Sequence, residues 1–304
     1  TRLLAQPMDG TTGSWQTLSP GQDRLAPIKG KNAYEARRGA SVEPYGVFWL
    51  DVQDVLSEGI LLVHNMPELG KRSIPPTSAR IEKDLLHPGV RGSDIERWGC
   101  KPVIHVLLAQ NPKTSSPYPA DMMRQRWPLT NSYLTQFKDI LLSRGSKTVR
   151  QFAERTEFYA MFGIGPYTVA NYKVVWKRMA SDLVAAVASQ VKTPYGYRTI
   201  IPTDTTSLIA AEDEAEAHYL CAILNSTPVR EFIKTYSSAG RGYGSPSVMK
   251  HVGIRKFDPN HPVHAGLAVL SRQLHDLRQK DRLIEMPPLE KQVETLANQL
   301  FGLS

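Results

Sequence analysis

The chain is short of cysteine and lacks most of the short signatures that announce a chemistry. Its two cysteines, Cys100 and Cys221, lie far apart and outside any Cys-x-x-Cys spacing, which argues against a disulfide framework and a thiolate zinc site. That usage fits a reducing cytoplasm. No Asp or Glu stands two residues before any lysine, so the Glu-x-Lys half of a common magnesium nuclease site is missing. A Gly-x-x-x-x-Gly-Lys phosphate loop, a His-Glu-x-x-His pair and a Gly-x-Ser-x-Gly nucleophile elbow are missing too. Apolar runs such as 103–109 and 183–188 fall well below the ~20 residues of a bilayer span, and no signal peptide is visible in these residues, so no membrane partner is expected. The chain opens at Thr1 without a methionine, as would a fragment cut from something longer.

Partial matches have simpler explanations. Phe162-Gly163-Ile164-Gly165-Pro166 imitates a cofactor glycine loop, but Pro166 and Tyr167 stand where a phosphate-side helix should continue, so a turn is expected. His261 and His264 straddle Pro262 at a helix start and have no acidic or thiol companion, so no metal site is assigned. The acidic run Glu212, Asp213, Glu214 and Glu216 suits the first turn of a helix better than a pair of catalytic carboxylates. No catalytic residue is assigned.

What the chain does carry is positive charge and enough apolar mass for one large core or two smaller ones. Its 304 residues are 41% hydrophobic with a net charge of +8. From His261 onward five basic residues balance five acidic ones, so the whole excess lies in 1–260. A basic body with a neutral tail favours an anionic partner, nucleic acid first, and the alternative is a protein-interaction module whose basic face is simply solvated.

Residues 1–31, rich in Gly, Pro, Gln, Ser and Thr, read as a linker or extended arm with partial disorder. In the body, 32–260, strands are expected at 46–52, 60–64, 103–108, 172–176, 183–188 and 199–201. Helices are expected from Thr130 or Asn131 to Leu142, from Thr148 to about Met161, over 212–224, and from Thr227-Pro228 to near Ser237. In 261–304, leucine stripes either side of Pro287-Pro288, with Gly302 as a C-cap, predict a helical hairpin. The fold class is α/β of the mixed α+β kind, a mostly antiparallel or mixed sheet with flanking helices.

Two segments suit binding. Residues 85–98, broken by a proline and two glycines, carry Arg91, Ser93, Asp94, Arg97 and Trp98; the alternative is a surface turn whose arginines pair with Asp94 and Glu96. The glycine-rich stretch 237–246 carries Arg241, Tyr243 and Ser245, with Lys250 just beyond. Arginine forks fit guanine edges and phosphates, and aromatic rings stack on bases.

The order Tyr34-Glu-Ala-Arg-Arg-Gly39, Gly46-Val-Phe-Trp-Leu50 and Leu85-Leu-His-Pro through Trp98 resembles the C-terminal target recognition domain of TaqI-like adenine DNA methyltransferases and fused restriction-modification enzymes. Tyr167 to Trp176, Tyr219 to Ser226, and Leu289 through Leu303 continue the resemblance in the same order. It implies sequence-specific binding of double-stranded DNA in a prokaryotic cytoplasm. It also implies an N-terminal methyltransferase domain of the same polypeptide, which would bind S-adenosylmethionine and hold a flipped adenine. The Asn-Pro-Pro-Tyr motif of that domain has no counterpart here, since Asn111-Pro112 continues as Lys113-Thr114. The specificity half without cofactor or catalysis of its own is therefore expected, with the segments around Arg91–Trp98 and Gly240–Ser245 facing DNA.

Overall fold

In Ile60–Asn65, Leu61, Val63 and Asn65 turn inward while His64 stays outside, the period of a strand with one buried face. A computed structural model describes residues 4–7, 15–18, 21–236 and 243–303. That strand belongs to a six-stranded sheet ordered Ile201–Pro202, Leu86–Val90, Ile104–Leu107, Trp49–Val55, Ile60–Asn65, Ser78–Glu82. Every pairing in it is antiparallel except that of Ile201–Pro202 with Leu86–Val90. Helices Ala120–Arg126 and Pro128–Gln136 contribute Met123, Tyr133 and Leu134 to its core with Phe48 and Leu50. The buried carboxylate of Glu82 sits at the start of the second helix and accepts from Leu129 N, Thr130 N and Thr130 Oγ1 at 2.9, 2.9 and 2.6 Å. The helix dipole and those donors replace the water the carboxylate has lost.

A second, four-stranded sheet runs Ala185–Ala188, Tyr172–Lys177, Thr206–Ala211, Arg37–Arg38. Residues 173–176 are all buried because both faces of the strand are covered. Val174 and Trp176 pack with Ile209 on the helix Glu214–Asn225, whereas Val175 packs with Val90, Ile95, Ala186 and Leu208. Burying side chains such as Val174 and Ile209 contributes about 1.5–3 kcal/mol each. Asp213 caps that helix by accepting from Glu216 N at 2.8 Å.

The C-terminal hairpin forms from Pro262–Gln279 and Met286–Phe301, closed by Gly302 at φ 64. Leu267, Leu270, Leu274, Val293 and Phe301 join the core of the second sheet. Only Thr203, Asp204 and Thr205 separate the last strand of the first sheet from Thr206–Ala211 in the second. Thr203 N donates to Val90 O at 2.9 Å, and Asp204 is held by Arg38 Nη2 and Tyr45 Oη at 3.0 and 2.9 Å.

Several expected elements are placed differently. Of 1–31, Gln22–Ile28 is a 3-10 helix with Leu25 and Ile28 fully inside the second core, since these two apolar residues outweigh the polar ones around them. The expected strand at 46–52 opens as a helical turn, Tyr45–Phe48, before Trp49–Val55. The helix expected to reach Met161 is Lys147–Arg155, because Phe158 O and Ala160 O turn to accept from Arg144. Leu86–Val90 is a strand despite Pro88-Gly89; a Cβ on Gly89 would lie 2.6 Å from Val106 Cγ2, so its hydrogen is what lets neighbouring side chains close over it.

Candidate functional site

The polar side chains of 91–98 have partners inside the chain. Asp94 Oδ2 accepts from Arg91 N and Nε at 2.8 and 2.9 Å, and Oδ1 accepts from Arg91 Nη2 and Ser93 Oγ at 2.8 and 3.0 Å. The bidentate pair closes a 3-10 turn that is pinned by Gly92 N donating to Thr205 Oγ1 at 2.9 Å. Arg97 is half-buried; it donates from Nη2 to Asn225 O at 2.8 Å and pairs with Glu290 at 3.1 Å and Glu294 at 3.6 Å. Trp98, at φ 67, is fully buried, with its Nε1 donating to Glu290 Oε1 at 2.7 Å. Glu96 pairs instead with Arg278. An indole in the core cannot stack on a base, which corrects the expectation for Trp98. Arg97 and Trp98 tie the hairpin to the body.

Of the second candidate segment, Arg241 lies outside the described residues. Tyr243 is half-buried against the second core, Ser245 precedes the short helix Pro246–Met249 with its Oγ 2.9 Å from Ser247 Oγ, and Lys250 is exposed. Gly244 has a structural cause. Its carbonyl accepts from Trp176 Nε1 at 2.9 Å and Ser207 Oγ at 2.6 Å, and a Cβ would lie 1.9 Å from Lys177 O. Arg91, Ser93 and Asp94 thus share one turn and Arg97 and Trp98 one hairpin contact, while Tyr243, Ser245 and Lys250 border another edge.

One surface cleft, about 870 Å3, has Asp94, Glu96, Lys101 and Arg278 in its wall and is of mixed charge. Cys100 and His275 also line it, but neither is primed to react. Burial pushes the Cys100 thiol up to about 12, and burial lowers His275 to about 4 while its Nε2 accepts from Val187 N at 2.9 Å. Behind this wall the buried Lys173 is brought down to about 7 by desolvation, with its Nζ on Ala170 O at 2.5 Å.

A second, smaller cleft, about 500 Å3, is lined by Tyr45, Gly46, Lys71, Arg72, Ile74, Arg144, Gly145, Ser146 and Thr205, and so reaches the connector between the two sheets. Sequence reading missed Lys71, Arg72 and Arg144; the only local trace of them is a pair of polar, glycine-flanked loops, Gly70-Lys-Arg-Ser73 and Arg144-Gly-Ser146. Gly163 takes φ 71 and Pro166 starts a 3-10 turn, so 162–166 is no cofactor loop. Among the described residues, no group of three or more His, Cys, Asp or Glu could hold a metal ion, and no helix is long and apolar enough to cross a membrane.

No protein-family profile matches the chain. The type II methyltransferase M.NspV of Nostoc sp. (strain ATCC 29411 / PCC 7524) is 26% identical over 162 residues, 52% of this chain and 30% of that protein. Among solved structures, the type IIG restriction endonuclease BpuSI aligns over 92% of this chain and 32% of its own, at 11% identity and a TM-score of 0.42. The type IIL restriction-modification enzyme MmeI, solved in complex with DNA, aligns over 91% of this chain and 34% of its own, at 12% identity and a TM-score of 0.50. The chain spans about a third of the length of each of these three proteins. The chain thus has sequence similarity to a type II methyltransferase and the α/β fold of one segment of MmeI, a restriction-modification enzyme.

Proposed function

We propose that this chain is the DNA sequence-recognition module of a restriction-modification enzyme or adenine DNA methyltransferase. The observation that carries the reading is that nine-tenths of the chain superposes on a third of MmeI, an enzyme solved with DNA. The +8 charge, confined to 1–260, supports it, because neutralising backbone phosphates is the main sequence-independent term in DNA binding.

In this reading a methyltransferase domain of the same protein binds S-adenosylmethionine, extrudes the adenine and transfers the methyl group, in the cytoplasm of a prokaryote. The two segments of this chain that imitate methyltransferase or cofactor motifs are built as turns. Gly165 is backed by the Tyr167 ring at 2.6 Å from where a Cβ would stand, and Asn111-Pro112 lies at the turn of the small hairpin Gln110–Asn111 with Ser116–Pro117. No chemical step is therefore assigned to this chain.

The test is a titration of the isolated chain against labelled duplex DNA at two salt concentrations, with methyl transfer measured alongside. Salt-dependent binding without methyl transfer is expected. Binding that is absent or indifferent to salt would overturn the DNA reading, and methyl transfer by this chain alone would overturn the assignment of chemistry to another domain.

A further inference from the structure

The smaller cleft holds positive charge that the protein leaves uncancelled. Arg144 is 4% exposed, and its guanidinium donates to Leu141 O at 2.7 Å, Ala160 O at 2.6 Å and Phe158 O at 2.7 Å. Three carbonyl dipoles solvate the charge without cancelling it. Arg72, beside it, donates from Nη1 to Ile140 O and Ser143 O, both at 3.1 Å, and from Nη2 to Ser143 Oγ at 2.6 Å. Two of its five donors remain for something else. Lys71 stands exposed in the same wall, and Arg150 reaches Arg144 O at 2.8 Å. None of these four cations makes an ion pair among the described residues. Glu43, the carboxylate in the lining, is exposed and pairs with none of them.

The backbone adds to the field. Ser146 caps the nine-residue helix Lys147–Arg155, whose N-terminus borders the cleft through Ser146 and Val149. Its first N–H groups carry partial positive charge toward the opening. Gly145 has nothing within 4 Å of where its Cβ would be, which leaves room for a ligand's close approach. Buried cationic charge, free arginine donors and a helix start converge on a space that only an anion complements.

We infer that this cleft is an anion site for the phosphodiester backbone of duplex DNA, gripped by Lys71 and Arg72 above a fixed positive floor at Arg144. The inference rests on the DNA reading above and adds where the duplex lies. Phosphate contacts of this kind set register and orientation and read no bases.

The experiment compares the wild-type chain with Lys71→Gln, Arg72→Gln and the distant control Lys291→Gln, by fluorescence anisotropy on two unrelated duplexes from 50 to 200 mM salt. Lys71 has no hydrogen-bond or ion-pair partner among the described residues, so its removal is expected to leave folding intact. Each cleft substitution is expected to weaken both duplexes alike and to flatten the plot of log affinity against log salt by about 1, whereas Lys291→Gln leaves it unchanged. Wild-type binding with both cleft variants unaltered would overturn the cleft and leave the DNA reading standing. If the wild type binds no duplex, the DNA reading falls. A pyrophosphate titration followed by tryptophan fluorescence then decides what remains: saturation that depends on Lys71 would keep the anion chemistry and overturn the duplex as its source, and no saturation would overturn both.

Discussion

Trp98 Nε1 donates to Glu290 Oε1 at 2.7 Å across 192 positions of sequence, and the same carboxylate oxygen receives Arg97 Nη1 at 3.1 Å. One acid on the last helix therefore holds two side chains of the loop read as DNA-facing. Trp98→Ala is expected to cost about 3–5 kcal/mol, the range for emptying a buried aromatic site. Glu290→Gln, which can still accept from the indole, is expected to cost less. Urea unfolding of both variants checks this; a Trp98→Ala protein of unchanged stability that had lost discrimination between DNA sequences would restore the indole as a reader.

Arg144→Lys is expected to destabilise the chain by more than about 2 kcal/mol. A lysine can approach one of the three carbonyls now bonded to the guanidinium but cannot present its planar fork to all of them, and each stranded buried carbonyl costs about 1–3 kcal/mol. A thermal melt indistinguishable from wild type would show that those carbonyls find other donors.

Two glycines in candidate loops should respond oppositely to alanine. Gly244→Ala forces its Cβ against Lys177 O and strains the bonds to Trp176 and Ser207, an overpacking cost of at least about 1–3 kcal/mol. Gly145→Ala meets open space and is expected to be neutral or to gain up to about 1 kcal/mol from a stiffer unfolded chain. Denaturant midpoints of the pair decide it, and equal losses would show that the loop glycines serve flexibility.

Stability should fall on acidification between roughly pH 6.5 and 4. His218 and His275 meet edge to face at 4.8 Å between the Glu214–Asn225 and Pro262–Gln279 helices. Burial lowers them to about 3 and about 4 from their ordinary 6.5. The unfolded chain therefore binds protons first as pH drops below 6.5, and each buried neutral imidazole loses its advantage through that window. His275→Gln keeps an acceptor for Val187 N but cannot titrate. It is expected to lose less stability than wild type between pH 7 and 5, and parallel losses in urea would rule His275 out as the source.

What could be read in the sequence was local. Asp213 announced its helix by the acidic first turn, Gly302 its cap by position, and the leucine stripes the hairpin, since each signal lies within a few residues of its effect. Leu86–Val90 was hidden by Pro88-Gly89, which marks a turn unless neighbouring strands close over it. Thr206–Ala211 was hidden because its buried hydroxyls looked exposed; Ser207 Oγ is satisfied by Gly244 O, 37 residues away. The site suffered in the same manner. An arginine written beside Asp and Glu can read a base or tie a helix, and for Arg97 the choice was made by Glu290 and Glu294 at the other end of the chain. Nothing adjacent to Arg144 shows that it is buried.

The passage from Ile201–Pro202 to Thr206–Ala211 leaves three residues between the sheets, and Asp204 in that passage is held by Arg38 from one sheet and Tyr45 beside the other. A hinge needs connector residues free to change their backbone angles, and here Thr203 N and the Asp204 carboxylate are both bonded to their flanks. Exchanging half of such a piece for another protein's half would break those bonds, so any exchange has to carry both sheets together.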